Sequence, residues 1–335
     1  MVRFNGEKLG YEPIVKLGPL SSPLPESFRK ANKNERRQNM RLTTLLAAVI
    51  FAASIALAVA APVGIGTSNP GSIYYSAGTA IAKVANEKAG IQATIQPFAS
   101  PTVYIPATNA GEIQFGLGNI FESTLAYEGQ DFYKGRPTKE LRLVAIIFPL
   151  RNGLFVRKDS KYRKLVDLKG ERMPDGYTAQ KTIPPLVDAT YATAGLTRAD
   201  FKPVQVPNVV ASVDAFIAGK IEGFFFAMGS AKVREADAAV GLRTIQFDTT
   251  PQAQKGLDKY FPGSYFRAEQ PGPDNPGVIE PCHSIAYDAL VFASTKTPDD
   301  MVYKLTKAIY ENKADMVATF APMKLFEQKD MAKKT

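Results

Sequence analysis

The sequence predicts an α/β protein of two lobes, each a parallel-rich sheet flanked by helices, with a ligand cleft between them. Three observations predict it. Short apolar runs alternate with segments of helical periodicity along most of the chain, the pattern of sheets covered by helices. That alternation starts over after residues 149–153 and returns near 283, so 61–152 plus 283–335 read as one lobe and 153–282 as the other. The turns from strand to helix are rich in Gly, Ser and Thr, and in such sheets ligands sit at those carboxyl ends of strands.

In chain order, residues 63–67 form an apolar strand that turns through Ser68 to Ser72 into a helix with Ile73, Ala77, Ile81 and Val84 on one face. Asn69 or Ser72 caps this helix, and Pro70 suits the turn. A helix start reached in this way offers free backbone N–H groups to an anion, phosphate or carboxylate. Residues 91–98 alternate through Ile91, Ala93 and Ile95 as a strand, and Ser100-Pro101-Thr102 opens a second helix that Pro106 kinks or shortens. A strand over 113–117 ends at Gly118-Asn119, and a short helix over 121–127 stops at Gly129. Residues 141–148 are a near-continuous apolar strand, buried on both faces, and 153–157 form a separate strand after Pro149.

The second set begins with a short helix over 165–170. Residues 172–176 lead into Tyr177-Thr178-Ala179-Gln180 and a helix closed at Gly195. Strands at 201–206, 221–226 and 242–247 alternate with helices at 209–218, 231–239 and 251–260; Ala227-Met228-Gly229-Ser230 is the turn after the middle strand. Residues 261–281 contain five prolines and read as loop. A strand over 284–294 and one long amphipathic helix over 298–320, with Val302, Leu305, Ile309 and Met316 on its stripe, complete the pattern.

The start of the chain reads as an address. Residues 1–39 are polar and aperiodic, a disordered or non-native extension. Met40-Arg41, an apolar run and a small-residue exit at Ala56-Leu57-Ala58 or Ala58-Val59-Ala60 make 40–60 a secretory signal peptide, with an uncleaved membrane anchor as the competing reading. The protein is therefore expected in the periplasm.

Composition narrows the function. Of the net charge of +9, residues 1–41 hold +5, nine Lys/Arg against four Glu, and the remainder is scattered. A nucleic-acid binder would concentrate it in a stripe. Gly64-Ile65-Gly66 lacks the third glycine and the downstream acid of a dinucleotide fingerprint. His283 is the sole histidine and Cys282 the sole cysteine; as strand neighbours their side chains diverge, where a nucleophile and its base must converge. The acidic residues show no metal-ligand spacing. The sequence thus implies no enzyme, no cofactor and no metal. Phe224-Phe225-Phe226 reads as buried strand. Of Tyr74 and Tyr75, facing different directions, one can reach the cleft. Arg151 is either a cleft arginine that pairs a carboxylate or a solvated one.

Residues 65–83, Ile-Gly-Thr-Ser-Asn-Pro-Gly-Ser-Ile-Tyr-Tyr-Ser-Ala-Gly-Thr-Ala-Ile-Ala-Lys, resemble the start of mature TAXI proteins, the extracytoplasmic receptors of TRAP transporters. Gly111-Glu112, Leu141-Arg142, the block over 165–170, Gly219-Lys-Ile-Glu-Gly-Phe-Phe225, Gly229 and the block over 302–312 follow in the family's order. The resemblance implies a bilobed, type II periplasmic binding protein, working as a monomer. It would close on a small carboxylate, a dicarboxylate or acidic amino acid, and deliver it to TRAP permease subunits. The alternative is an exported sensor reporting to a membrane partner. By the same likeness Thr67, Ser68, Gly71, Ser72, Tyr74 and Tyr75 contact ligand from the first lobe, and Ser100, Asn119, Tyr177, Thr178, Ala179, Gln180 and Gly229 complete the site. The chain departs from the pattern at Pro101 and Tyr104, and at Tyr177 and Ala179, where the relatives have Ser and Asn, and Ser and Gly.

Overall fold

The computed structural model describes residues 62–333, so the extension and the signal peptide lie outside the described residues. The order is β1 (Val63–Ser68), α1 (Ile73–Lys88), β2 (Ala93–Phe98), α2 (Pro101–Ala110), β3 (Phe115–Asn119), α3 (Ile120–Glu128) and β4 (Leu141–Arg157). Then come β5 (Arg172–Asp175), α4 (Ile183–Ala192), β6 (Lys202–Gln205), α5 (Val209–Ile217), β7 (Gly223–Ala227), α6 (Ala231–Val240) and β8 (Leu242–Thr244). The chain ends with α7 (Pro251–Tyr260), β9 (Tyr265–Glu269), β10 (Cys282–Ser294), α8 (Asp299–Glu311) and α9 (Lys313–Thr319).

The two expected sheets are joined. An eight-stranded sheet runs β2-β1-β3-β10-β4-β7, with β8 on β4 and β9 on β10, and β5-β6 form a small parallel sheet apart. β1 pairs in parallel with β2 and β3, whereas β10 and β4 pair antiparallel with all their neighbours, so the large sheet is mixed. The link is the pairing of β4 with β10, from Ile285 opposite Asn152 to Ser294 opposite Leu141. Residues 141–148 and 153–157 are consequently one strand, and Pro149 does not divide it. Pro149 lies opposite Asp288 beside a register shift, and β7 joins only from Asn152 onward. A missing N–H is tolerated at such an irregular, one-sided position.

Glycines on alternate strand positions let aromatic rings lie flat on the sheet. Phe115 and Leu117 of β3 join the main core, and the opposite face is left to Gly116 and Gly118, against the Phe292 ring. Phe292 stacks in turn on Tyr104 of α2, at 6.3 Å between centroids. Gly66 belongs to the same arrangement: a Cβ there would meet Tyr104 at 3.0 Å. Gly66 thus makes room for a helix, whereas a Cβ at Gly64 would meet the Gln96 side chain of β2 at 2.6 Å.

Two further elements differ from the sequence expectation. Tyr265–Glu269 is a strand, β9, inside the proline-rich stretch, because β10 continues far enough to pair with it from Ala286 to Cys282. The long C-terminal helix breaks at Asn312, whose ψ of 40° leaves the helical well and whose side-chain amide donates to the Ala308 carbonyl.

Candidate functional site

Four helix starts converge on one cavity. Ser72 caps α1 by accepting from the Tyr75 N–H at 3.2 Å, and Asn119 caps α3 by accepting from the Glu122 N–H at 2.9 Å. Asn208 caps α5 through the Ala211 N–H at 2.9 Å, and Gln180 Oε1 accepts from the Val209 N–H at 3.2 Å. Thr182 and Ile183 bring the start of α4 to the same place. The space they line is about 70 Å³, room for roughly five to seven waters at about 10–15 Å³ each. The α4 start offers no free N–H, since that of Ile183 donates to the Gln180 carbonyl at 3.2 Å and Pro184 and Pro185 follow. In α1 and α5 the N–H groups of Ile73, Tyr74 and Val210 have no carbonyl to meet. Their summed dipoles make the cavity favourable to negative charge.

One wall is aromatic. Phe121 meets Phe261 edge to face at 4.1 Å, and Phe261 meets Tyr287 at 4.4 Å. Phe225 and Phe226 of β7 line the opposite part, and Asn152 donates to the Tyr287 hydroxyl at 2.8 Å.

At the floor lies Glu122, a buried carboxylate. Asn119 Nδ2 donates to its Oε2 at 2.6 Å and to the Tyr74 hydroxyl at 2.9 Å, and the Thr182 hydroxyl donates to its Oε1. Both donors are neutral, and no lysine, arginine or histidine lines the cavity among the described residues. Burial therefore pushes the carboxyl up to about 7, against the lowering effect of the Thr182 and Asn119 hydrogen bonds. Burial, and then the Glu122 charge, hold the Tyr74 phenol well above its ordinary range.

The residues proposed from sequence divide. Ser68, Ser72, Tyr74, Asn119 and Gln180 line the cavity. Gly71 lies beside Lys232, and Tyr75 and Gly229 face a separate surface groove with Pro322. Thr67 is buried in β1, behind the cavity wall, and Ser100 hydrogen-bonds to Thr102 at 2.6 Å. Of the 177–180 turn, Tyr177 is buried, Thr178 is exposed and Ala179 half-buried. Its N–H groups are already used: those of Thr178, Ala179 and Gln180 donate to the carbonyls of Val206, Pro207 and Tyr177. The start of α5 faces the cavity where that turn was expected. Tyr104, at the position of an expected polar contact, donates to the Leu117 carbonyl inside the sheet.

Arg151 is neither a cleft nor a surface arginine. It is buried, donating to Glu269 Oε2 at 2.7 Å and to Asn275 Oδ1 at 3.0 Å. The Cys282 thiol, buried and close to Glu269 and Glu280, is pushed up to about 12 and stays protonated.

Sequence reasoning missed Glu122, Asn152, Thr182, Asn208 and Tyr287. For two of them a signal existed. Asn208 directly precedes an apolar helix, as Ser72 does, and Glu122 stands three residues after a cap, the spacing of a capping box. The spacing announced a helix start, and nothing in it announced a buried carboxylate.

A model described as the NMT1-like family matches residues 65–335. Among solved structures, the chain is similar to PhnD1 from Prochlorococcus marinus in complex with methylphosphonate. The identity is 8% and the TM-score 0.53, over 81% of this chain and 92% of that one. It is also similar to the alkanesulfonate-binding protein SsuA from Xanthomonas axonopodis pv. citri bound to MOPS, at 15% identity and a TM-score of 0.49, over 80% and 81%. The fold is the α/β fold of periplasmic binding proteins, as expected from the sequence.

Proposed function

The chain belongs to the NMT1-like family, and on that premise we propose that it is an exported solute receptor closing on a small organic acid. The observation that carries the reading is the convergence of the α1, α3 and α5 starts on one cavity. A carboxylate there would take N–H groups that have no partner in their own helices, and the dipoles of those helices would favour its charge. The lobes of this reading are residues 61–152 plus 283–335 and residues 153–282, hinged where β4 and β10 pass between them. The cavity lining holds no histidine, cysteine or lysine and, among the described residues, there is no cluster of potential metal ligands. A receptor fits that inventory better than an enzyme.

The sequence blocks shared with TAXI receptors support a TRAP-type permease as the membrane partner. A signal peptide over 40–60 would deliver the protein to the periplasm; its mature N-terminus should then be Val59 or Ala61, and an earlier start would refute cleavage. Among the described residues, no helix is long and apolar enough to cross a membrane. Calorimetry of the purified, ligand-stripped protein against carboxylates and amino acids tests the receptor reading. At least one should bind in a one-to-one ratio; absence of binding across the panel would contradict it.

A further inference from the structure

We propose that the ligand is a neutral zwitterion, an amino acid with an apolar side chain whose ammonium meets the Glu122 carboxylate. The proposal rests on the solute-receptor reading and narrows its ligand class.

Glu122 is the only charged side chain that lines the cavity among the described residues. Its oxygens accept from Asn119 Nδ2 and the Thr182 hydroxyl. A carboxylate has about four lone-pair sites, so two remain for a ligand. Both existing donors are neutral, so the ionised group lacks a counter-charge. A buried charge of this kind is retained at high cost unless a cation joins it. An ammonium supplies that cation and the missing donors together.

The other end of the ligand follows from the helix starts. The α1 and α5 starts offer backbone N–H groups and positive dipole ends, which suit one carboxylate. A second carboxylate, as in a dicarboxylate or an acidic amino acid, would enter a cavity that already holds Glu122 and has no side-chain cation. Like charges at such range are unfavourable. A zwitterion instead adds one charge of each sign, each facing its opposite. Its tail is left to Phe121, Phe225, Phe226, Phe261 and Tyr287, an apolar surface on which a hydrocarbon or ring gains from burial.

The ionisable groups around Glu122 leave its charge unchallenged. Tyr74 on α1, Tyr104 on α2, Tyr287 on β10 and Tyr133 after α3 all sense it, and burial keeps each phenol protonated across the neutral range. Ammonium binding requires the ionised carboxylate, so affinity for a zwitterion should fall as pH drops below about 7. The loss approaches roughly tenfold per pH unit. A ligand that placed its own carboxylate against Glu122 would need the protonated form and show the opposite slope.

Calorimetry of the ligand-stripped, full-length protein tests this with matched pairs: valine, leucine and phenylalanine against isovalerate, isocaproate and hydrocinnamate, which lack only the amine. Succinate and glutamate complete the panel. The amino acid of at least one pair should bind about a hundredfold more tightly than its des-amino partner, and more weakly at lower pH. Glu122→Gln should erase most of that ratio. Equal binding within every pair, or preference for succinate or glutamate, would overturn the zwitterion and leave the receptor reading intact. Binding by none of these compounds would overturn the organic-acid receptor reading itself. The wild-type ratio and pH slope decide the matter even if the variant fails to fold.

Discussion

Glu122 and Glu269 are both buried, at 4% and 2% exposure, yet they are housed in opposite ways. Glu269, on β9, accepts from Arg151 at 2.7 Å, from Arg267 at 3.0 Å and from Ser284 at 2.7 Å. Its charge is cancelled within the fold, and its oxygens bind together β4, β9 and β10. Glu122 has only an amide and a hydroxyl, no cation, and it borders the cavity. Internal compensation marks the first carboxylate as structural. Withheld compensation, beside a cavity, marks the second as a place where something arrives from outside.

The largest effect is expected at Glu269. Glu269→Ala leaves Arg151 buried without its partner and should cost about 3–5 kcal/mol; thermal or urea unfolding measures it, and a loss below about 1 kcal/mol would remove the structural half of the contrast.

Glu122 should behave in the reverse sense. Its carboxyl is raised from 4.5 to about 7 by folding, so the native state holds the proton more tightly than the unfolded chain. Any stabilising effect from this proton is greatest below about pH 4.5 and is lost as pH rises through about 7, a change of about 3 kcal/mol. Ligand-free Glu122→Gln should flatten that window, seen as unfolding free energy against pH; an unchanged slope would place the titration elsewhere.

A smaller effect is expected at Asn119. Asn119→Ala removes the α3 cap and one of the two donors to Glu122, costing about 0.5–2 kcal/mol and raising the carboxyl further; the unfolding midpoint and the pH dependence of binding read the two consequences. The smallest effect belongs to Tyr75, which faces the surface groove rather than the cavity. Tyr75→Phe should leave ligand affinity within about twofold and stability within about 0.5 kcal/mol, whereas Tyr74→Phe, which removes the hydroxyl that Asn119 donates to, should weaken binding measurably.

The same contrast shows what could be read from sequence. Local devices were legible: the Ser72 cap, the Gly129 stop and the helix over Pro251–Tyr260 are written in neighbouring residues, and the structure has each of them. The strand continuing through Pro149 was not, because tolerance of that proline depends on β10, paired from more than a hundred residues away. Nor was the break at Asn312, where the apolar stripe runs on past a backbone that turns. For the site, Ser68, Ser72, Tyr74, Asn119 and Gln180 were reached through helix starts and family likeness. Arg151 was misread because its partner Glu269 lies 118 residues further along the chain. Glu122 was missed for a related reason: three residues past a cap, its sequence context is that of an ordinary first-turn acid, and its second donor, Thr182, arrives from another segment. Charge compensation is a property of the folded arrangement, so it becomes visible only once distant segments meet.

In the proposed complex this cavity holds a small acid whose amine completes Glu122. The most direct measurement is mass spectrometry of whatever the natively purified protein releases on denaturation. The account predicts a small molecule that carries one carboxylate and one amine; a dicarboxylate, a phosphonate, a sulfonate or a nucleotide would contradict it.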